Sequence, residues 1–397
     1  MPHLRDRYIK ALLLKSSRYS AITGLFGHRQ VGKTTLVSSL ADKYLTLDNS
    51  WILDEALANP NSFVKKNSAL PLVIDECQLA PPLFPVLKEW VRVHPKPGQF
   101  ILTGSVRFSS RMAIRESLTG RMIAWELLPM NLSEAHNEPL ANVVPRLTRS
   151  KTVAINLPSR PFTRESEIAT YLEHGGLPGI FAVRDAAVRK QKLETQINTL
   201  LERDLKLVCE TTLSYRSLVN LLEVLAQRQG QPVDLTAISR QARISVPTLR
   251  KLLAGLEAIF LIRIINTEGT EKRPVLFFED QGEATSLASN RYDEITQMTR
   301  FLFSQIRHQW VYRPEVEGSV FQYRTRGGAH VPLCFRGKDG ELGIIPILDE
   351  NPNQSEMASA RSFLAAYPNS KVIWVTRADH DQVASTRTRT VSISQVI

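Results

Sequence analysis

The chain has 397 residues, which is too long for one ordinary hydrophobic core, so two or three domains are expected. Hydrophobic residues make up 43% and charged residues 22% of it, as is typical of a globular protein. No segment approaches the roughly 18 to 20 apolar residues that cross a bilayer, so we predict no membrane partner. The net charge of +11 favours nucleic acid or an acidic protein. Three widely separated cysteines without metal-ligand spacing indicate a reduced, cytoplasmic protein.

The residues from Ile22 to Thr35 have the pattern of a phosphate-binding loop. They read I-T-G-L-F-G-H-R-Q-V-G-K-T-T, an apolar run that leads through a glycine-bounded turn into a helix-like segment. The spacing G-x-x-x-x-G-K-T of a P-loop is met by Gly27, Gly32, Lys33 and Thr34. Residues 4–17 predict an amphipathic helix that packs beside this loop. The alternative is a chance turn that happens to contain two glycines.

Each position of this loop has a chemical reason. A strand must turn into a helix around a polyphosphate with its backbone N–H groups directed at the anion, and glycine permits the close approach. Lys33 then reaches the β- and γ-phosphates, and the hydroxyl of Thr34 binds Mg²⁺. The predicted nucleotide contacts are Gly27, His28, Arg29, Gln30, Val31, Gly32, Lys33, Thr34 and Thr35.

A second motif is the apolar run L-P-L-V-I-D-E at residues 70–76. A continuous apolar strand fits a buried parallel sheet, and acids at its carboxyl end lie where ligands bind in open α/β sheets. We predict that Asp75 holds Mg²⁺ through water and that Glu76 polarises the water that attacks the γ-phosphate. A solvated strand end is the alternative interpretation.

A third strand, at residues 99–105, ends in hydroxyl side chains at the same edge of the predicted sheet. Thr103 or Ser105 is expected to contact the γ-phosphate or to orient water. For Ser105, capping of the next helix is a competing interpretation.

Arginines follow this strand at intervals of four. Arg107, Arg111 and Arg115 place positive charge on one helical face, and Arg121 follows in L-T-G-R. We predict that Arg121 acts across a subunit boundary as an arginine finger, which implies a homo-oligomer. For the other three arginines, a solvated helix face and contact with DNA phosphates both stay open.

The motifs quoted so far resemble a group of bacterial and archaeal AAA+-superfamily ATPases. The resemblance rests on G-H-R-Q-V-G-K-T-T-L, L-V-I-D-E, I-L-T-G-S, E-S-L-T-G-R and L-L-P-M-N-L-S-E, and it continues in Y-L-E-H-G-G-L-P and L-L-E-R-D-L. It implies ATP as the nucleotide and an ASCE-type sheet with one strand between the two Walker strands. Lys33 and Thr34 match the Walker A positions, and Asp75 and Glu76 match the Walker B positions. It also implies a C-terminal domain of unknown function.

The middle of the chain contains a glycine-proline turn and a helix-turn-helix pattern. In G-G-L-P, Gly176 and Pro178 either sense the nucleotide, as a related element does in similar ATPases, or form a plain turn. The pattern from Asp234 to residue 265 predicts a winged helix-turn-helix. Its second helix presents Thr248, Arg250 and Lys251, which either contact DNA or belong to a lid or protein-contact surface.

The last third predicts a strand-strand-helix-strand pattern that resembles the restriction-endonuclease-like fold. Such nucleases hold Mg²⁺ with carboxylates and use a lysine. Here His330 and Pro332 stand on one strand, and Ile345 and Ile347 stand on the next. Apolar side chains neither ligate Mg²⁺ nor activate water, so we predict no nuclease activity. The domain is interpreted as a scaffold that binds protein or nucleic acid.

The sequence thus predicts an α/β protein with three parts. These are a P-loop NTPase domain of the ASCE/AAA+ type (1–155), a helical lid and winged-helix region (156–270) and a small α/β nuclease-like domain (271–397). The leading hypothesis is a Mg²⁺-dependent ATPase whose nucleotide state controls conformation or assembly. One alternative is a DNA-binding regulator that uses ATP as a switch. The other, a protein-interaction scaffold with little turnover, is disfavoured by the intact Glu76. The predicted catalytic residues are Glu76, Lys33, Arg121 and Thr103.

Overall fold

A parallel sheet organises the N-terminal part of the computed structural model, which describes residues 5–40, 43–67, 71–107, 118–158 and 165–397. Its strands are β1 (Ile22–Gly27), β2 (Lys43–Thr46), β3 (Leu72–Asp75), β4 (Phe100–Gly104) and β5 (Met122–Leu127). They lie in the order β2-β3-β4-β1-β5, and every neighbouring pair is parallel. One strand, β4, therefore separates the P-loop strand from the strand that ends in Asp75, as predicted for this P-loop fold.

Helices cover both faces of this sheet, which explains why its central strands β1, β3 and β4 are buried along their whole length. The helices are α1 (Ile9–Ser17), α2 (Lys33–Val37), α3 (Ser50–Ala58), α4 (Pro60–Asn67) and α5 (Leu83–Val93). Successive strand residues point to opposite faces. Ile74 packs in one core with Phe84 and Leu87 of α5, whereas Val73 packs in the other with Leu13 of α1. The helix predicted for residues 4–17 begins at Ile9.

A helical region follows the sheet. Its helices are α6 (Leu132–Ala135), α7 (Val143–Arg149), α8 (Glu165–His174), α9 (Pro178–Phe181), α10 (Ala186–Thr199), α11 (Leu205–Val208), α12 (Tyr215–Ala226), α13 (Leu235–Ala242) and α14 (Val246–Ala258). A π-helical turn, Leu200–Asp204, joins α10 to α11. Helices α13 and α14 and the strand β6 (Ile262–Ile265) occupy the predicted helix-turn-helix-strand segment, and Asp234 caps α13. Strand β6 pairs antiparallel with β8 (Val275–Phe278).

A second sheet forms most of the C-terminal part. Its strands are β7 (Thr267–Gly269), β9 (Gly318–Arg324), β10 (His330–Gly337), β11 (Gly340–Pro346), β12 (Lys371–Thr376), β13 (Gln382–Val383) and β14 (Thr388–Ser392), in the order β13-β14-β12-β11-β10-β9-β7. The helices here are α15 (Gln281–Leu287), α16 (Glu294–Ile306), α17 (His308–Val311), α18 (Gln354–Ala366) and α19 (Ile393–Val396). Ile345 and Ile347 are buried in this part.

The parts of the chain share apolar cores. Leu147 of α7 lies in one cluster with Leu333 of β10 and Ile344 of β11, so core packing crosses the predicted boundary at residue 155. The three predicted domain ranges themselves stay predictions. None of the described helices has the length and apolar character that a membrane span requires.

An ion cluster also joins the parts. Arg107, just after β4, contacts Glu126 at 2.9 Å and Glu279 at 2.8 Å. Arg263 and Arg307 each contact both of these glutamates. Burial acts to raise the pKa of Glu279, but the arginine charges outweigh burial and hold that pKa well below its usual range.

The position of Arg107 corrects one interpretation of the arginine series. It does not lie on an exposed basic face, because its guanidinium is bound within the ion cluster and donates to the backbone oxygen of Glu257 at 2.7 Å. Arg111 and Arg115 lie outside the described residues. Arg107 therefore does not belong to a basic helix face, and the prediction for Arg111 and Arg115 stays a prediction.

Candidate nucleotide-binding site

The P-loop lies between β1 and α2 and has the backbone geometry that its glycines allow. Gly32 has φ of +99° and Gln30 has φ of +58°, so the loop turns twice through the left-handed region. Gly27 contributes differently. A Cβ atom there would lie 2.4 Å from the backbone oxygen of Leu127 on β5, so only glycine fits this close approach.

Lys33 is held inside the loop. Its ammonium donates to the backbone oxygens of Gly27 and His28, each at 2.9 Å. Burial lowers the pKa of Lys33, while the nearby carboxylates of Glu76 and Asp75 act in the opposite direction. The side chain is thus a desolvated cation at the position where a P-loop lysine meets phosphate.

Asp75, at the end of β3, gathers hydroxyl groups from three elements. Thr34 of α2 donates to its carboxylate at 2.7 Å, and Thr103 of β4 and Tyr44 of β2 donate to it as well. The structure therefore brings together the predicted residues Thr34, Asp75 and Thr103. Tyr44 was not predicted; burial and its bond to Asp75 raise its pKa to about 12.

The donor set at this point fits Mg²⁺. The ion prefers hard oxygen ligands and retains several waters, so one carboxylate and one hydroxyl are enough protein ligands beside a phosphate. Thr34 and Asp75 supply that pair of oxygens, 2.7 Å apart. In the described ranges, no group of three or more His, Cys, Asp or Glu side chains could hold a metal ion.

Glu76 follows Asp75 with φ of +56°, a left-handed conformation that turns its side chain away from the strand direction. Gln78 donates to its carboxylate, and the hydroxyl of Ser105 lies 3.3 Å from the same oxygen. Gln78 also donates to Ser105 at 3.2 Å. Ser105 therefore contacts the candidate catalytic carboxylate, a contact that was not predicted, while its two predicted uses stay predictions. Gln78 was missed, and its place in D-E-C-Q beside Glu76 was the available signal.

The π-helical turn brings further charges to this site. Asp204 pairs with Arg29 of the P-loop at 3.3 Å, and Arg203 pairs with Asp48, two residues beyond β2. Gln196 donates to the backbone oxygen of Arg29 at 3.0 Å. Burial raises the pKa of Asp204. Functional sites often use π-turns, and the motif L-L-E-R-D-L was the sequence signal for these residues.

The glycine-proline turn between α8 and α9 also lies against the P-loop. A Cβ atom on Gly32 would lie 3.6 Å from Cγ of Pro178. Behind this turn, the backbone N–H of Gly176 donates to Asp280 at 2.6 Å. The predicted pair Gly176 and Pro178 is therefore near the candidate site, and its role as a nucleotide sensor stays a prediction.

His28 is buried in the P-loop and faces the C-terminal half of the chain. Its Nε2 lies 3.0 Å from a carboxylate oxygen of Glu283 on α15. Burial acts to lower the pKa of His28, but the Glu283 carboxylate outweighs burial and raises that pKa to about 9. His28 was predicted only as a loop residue, and nothing local in the sequence points to Glu283.

Arg121 lies away from the candidate nucleotide-binding residues. It precedes Met122, which pairs with Ile22 at the start of β1, so it is at the edge of the sheet opposite the P-loop. Its backbone oxygen accepts a bond from Ser20 at 3.2 Å. The side chain of Arg121 therefore does not serve the site of its own chain.

Comparison with known families agrees with this geometry. Residues 19–136 match a family model described as an AAA domain. The N-terminal part of this chain is therefore similar to an AAA domain. Residues 165–294, which supply Asp204, Gly176 and Glu283, match a second family described as a domain of unknown function. The AAA domain thus shares its candidate nucleotide site with the segment that follows it.

Several known proteins are similar to this chain. Two uncharacterised proteins, from Mycobacterium bovis and Mycobacterium tuberculosis, are each 27% identical over 289 residues, which is 70% of this chain and 58% of theirs. The chain therefore spans less than two thirds of these curated relatives. A Walker-type ATPase of Pyrococcus abyssi is 18% identical with a TM-score of 0.41, over 72% of this chain and 96% of that one. AMPPCP-bound DnaA from Aquifex aeolicus is 13% identical with a TM-score of 0.29, over 63% and 85%.

The glycine-proline turn yields a stability prediction. A Cβ atom on Gly175, which has φ of +75°, would lie 2.1 Å from a carboxylate oxygen of Asp280. We expect Gly175→Ala to lower the free energy of unfolding by roughly 2–4 kcal/mol, through overlap and backbone strain. Gly179→Ala is the matched control, because a Cβ atom there meets nothing within 4 Å. Denaturant unfolding measures both, and equal stability of the two variants would contradict the packing of this turn.

Proposed function

We propose that this chain binds ATP with Mg²⁺ and hydrolyses it, and that the bound nucleotide controls its conformation or assembly. The observation that carries the proposal is the meeting of the P-loop, Asp75 and Glu76 at one edge of the parallel sheet. The match of residues 19–136 to an AAA domain supports it. Adenine as the base follows from the family resemblance, because a P-loop holds phosphates.

Binding is assigned to the loop and its neighbours. Backbone N–H groups of the loop face the phosphates, and Lys33 donates to the β- and γ-phosphate oxygens. Thr34 and Asp75 are the residues that would hold Mg²⁺, which supplies positive charge to the phosphates when bound. The remaining loop contacts are Gly27, His28, Arg29, Gln30, Val31, Gly32 and Thr35.

Glu76 is assigned the proton transfer. Its carboxylate orients a water molecule and accepts a proton as the water oxygen bonds to the γ-phosphorus; the bond from that phosphorus to the bridging oxygen breaks, which gives ADP and phosphate. Ser105 and Gln78 hold the carboxylate at its observed place. The hydroxyl of Thr103, on β4, donates a hydrogen bond to the carboxylate of Asp75 and so helps to hold it in place. Thr103 is also assigned a contact with the γ-phosphate.

The first functional prediction concerns Glu76→Gln. The amide keeps the shape of the side chain but cannot accept the proton, so we expect ATP hydrolysis to fall by about 10²- to 10⁴-fold while ATP binding is retained. Hydrolysis and binding of a fluorescent ATP analogue are measured on the same samples. Glu89→Gln, on the exposed side of α5, is the control. Wild-type turnover in Glu76→Gln would refute the assigned role.

A second part of the proposal is that Arg121 acts on the site of a neighbouring subunit in a homo-oligomer. Its place opposite the P-loop keeps it from the site of its own chain, so a role in hydrolysis would require the site of another chain. We expect Arg121→Ala to be inactive alone and to regain activity when mixed with Glu76→Gln. In a random equimolar oligomer about a quarter of the sites combine an intact Glu76 with a neighbour's intact Arg121. A mixture as inactive as its components, or a monomer whose rate ignores concentration, would rule out this role.

DNA is the second candidate partner, and the surface of α14 favours it. Arg250 and Lys251 are exposed near its N-terminal end, and Thr248 is partly exposed. We expect double-stranded DNA to bind in a salt-sensitive way. Arg250→Ala and Lys251→Ala should each lower the salt slope by roughly 0.9, because each removes a cation that neutralises one phosphate. Lys190→Ala, an exposed lysine on α10, is the control. Absence of binding at low salt would end this candidate and direct attention to protein partners of the C-terminal sheet.

A further inference from the structure

His28 occupies an unusual environment for a P-loop side chain. It is 1% exposed, and both nitrogens of its ring lie near oxygen atoms that only accept hydrogen bonds. Nδ1 is 2.7 Å from the backbone oxygen of Arg29, and Nε2 is 3.0 Å from the carboxylate of Glu283. A neutral imidazole has one N–H group, so both contacts are favourable only for the doubly protonated, positively charged ring.

The charges around the ring agree with this protonation state. Glu283 and Asp280 face it from the α15 side, and their negative charges raise its pKa against the effect of burial. The Lys33 ammonium contacts the backbone oxygen of His28 at 2.9 Å. Because the pKa of His28 is raised from 6.5 to about 9, its protonation contributes its full stabilisation below about 6.5, and this contribution is lost as the pH rises through about 9.

The buried negative charge of Glu283 depends in turn on the positive charge of His28. Glu283 is fully buried, and neither of its carboxylate oxygens has a hydrogen-bond partner among the described residues, so the ion pair with His28 at 3.0 Å is the contact that compensates its charge. Its helix is fixed by Asp280, which accepts bonds from the backbone N–H groups of Gly282 at 2.9 Å and Glu283 at 3.0 Å. The same Asp280 accepts the bond from Gly176 at 2.6 Å. A buried carboxylate in this position requires its cation.

These contacts connect three elements in a ring: the P-loop, α15 and the glycine-proline turn. The loop joins α15 through His28 and Glu283, and α15 joins the glycine-proline turn through Asp280 and Gly176. The turn then returns to the loop, because Pro178 lies beside Gly32. A displacement of α15 is therefore transmitted to the loop from both sides.

We propose that Glu283 is a positioning residue for the P-loop and that its ion pair with His28 couples the position of α15 to the affinity for ATP. This coupling rests on the proposed ATP binding, and it would allow α15, in the C-terminal half of the chain, to regulate the affinity for ATP. A neutral ring cannot keep both of its contacts, so the backbone at Arg29 or the link to α15 is released. Either change alters the loop whose N–H groups face the phosphates. By reciprocity, bound ATP stabilises the ion pair.

The test replaces the charge of Glu283 and keeps its shape. In Glu283→Gln an uncharged amide of the same shape stands beside His28, so burial is no longer opposed by a carboxylate at this position. We expect the pKa of His28, followed by NMR without nucleotide, to fall below that of the wild type. We expect ATP at pH 8 to bind about tenfold more weakly, a usual size for coupling between sites. Glu268→Gln, which breaks an ion pair with Arg336 on the C-terminal sheet, is the matched control.

A second variant distinguishes loss of the ion pair from a general loss of folding. His28→Gln retains one donor toward Glu283 but cannot also donate to the backbone oxygen of Arg29. We expect it to weaken ATP binding as well, and the losses in the double variant to be smaller than the sum of the single ones. Melting temperatures are recorded for all variants.

The outcomes separate the two proposals. If the wild type does not bind ATP, the proposed function fails and the coupling fails with it. If the wild type binds ATP and Glu283→Gln binds it equally well with a neutral His28, the coupling alone is wrong. If the loss of ATP-binding free energy in the double variant equals the sum of the losses in the two single variants, the two residues act independently and the proposal is overturned.

Discussion

The carboxylate of Asp75 is the interaction on which the candidate site depends. A buried carboxylate is costly unless hydrogen bonds satisfy its oxygens. Here hydroxyl groups from Tyr44 of β2, Thr34 of α2 and Thr103 of β4 converge on it. That single group therefore fixes the P-loop helix against two strands of the sheet. A cation that binds there enters an arrangement already ordered around negative charge, with little rearrangement of the backbone.

The segment of unknown function is part of the candidate nucleotide site. Asp204 contacts Arg29 of the P-loop, Pro178 lies beside Gly32, and Glu283 pairs with His28. Residues 165–294 thus contact the loop at three of its positions. In the proposed function, residues 19–136 supply the groups for phosphate chemistry, and residues 165–294 contribute contacts beside them.

The sequence predicted the parts of the site that depend on local pattern. The P-loop, the strand that ends in Asp75 and Glu76, and the polar end of β4 lie on contiguous motifs, so their meeting at one sheet edge followed from the parallel topology. The pair His28–Glu283 could not be predicted in this way, because its members are far apart in the chain and only tertiary packing joins them. The prediction that Arg107 lies on a basic helix face was wrong for the same reason, because a regular spacing of arginines carries no information about glutamates that are distant in the sequence.

The ion cluster around Arg107 bears on how this chain can be divided. A fragment that ends at residue 155 would keep Arg107 and Glu126 but lack Glu279, Arg263 and Arg307, which complete the cluster. The fragment would also expose the apolar side of α7, since Leu147 packs on the C-terminal sheet. The segment that matches an AAA domain is thus a recognisable sequence unit whose apolar packing and ion cluster extend into the rest of the chain. Functional dissection of this protein is better served by point substitutions in the full chain than by truncation.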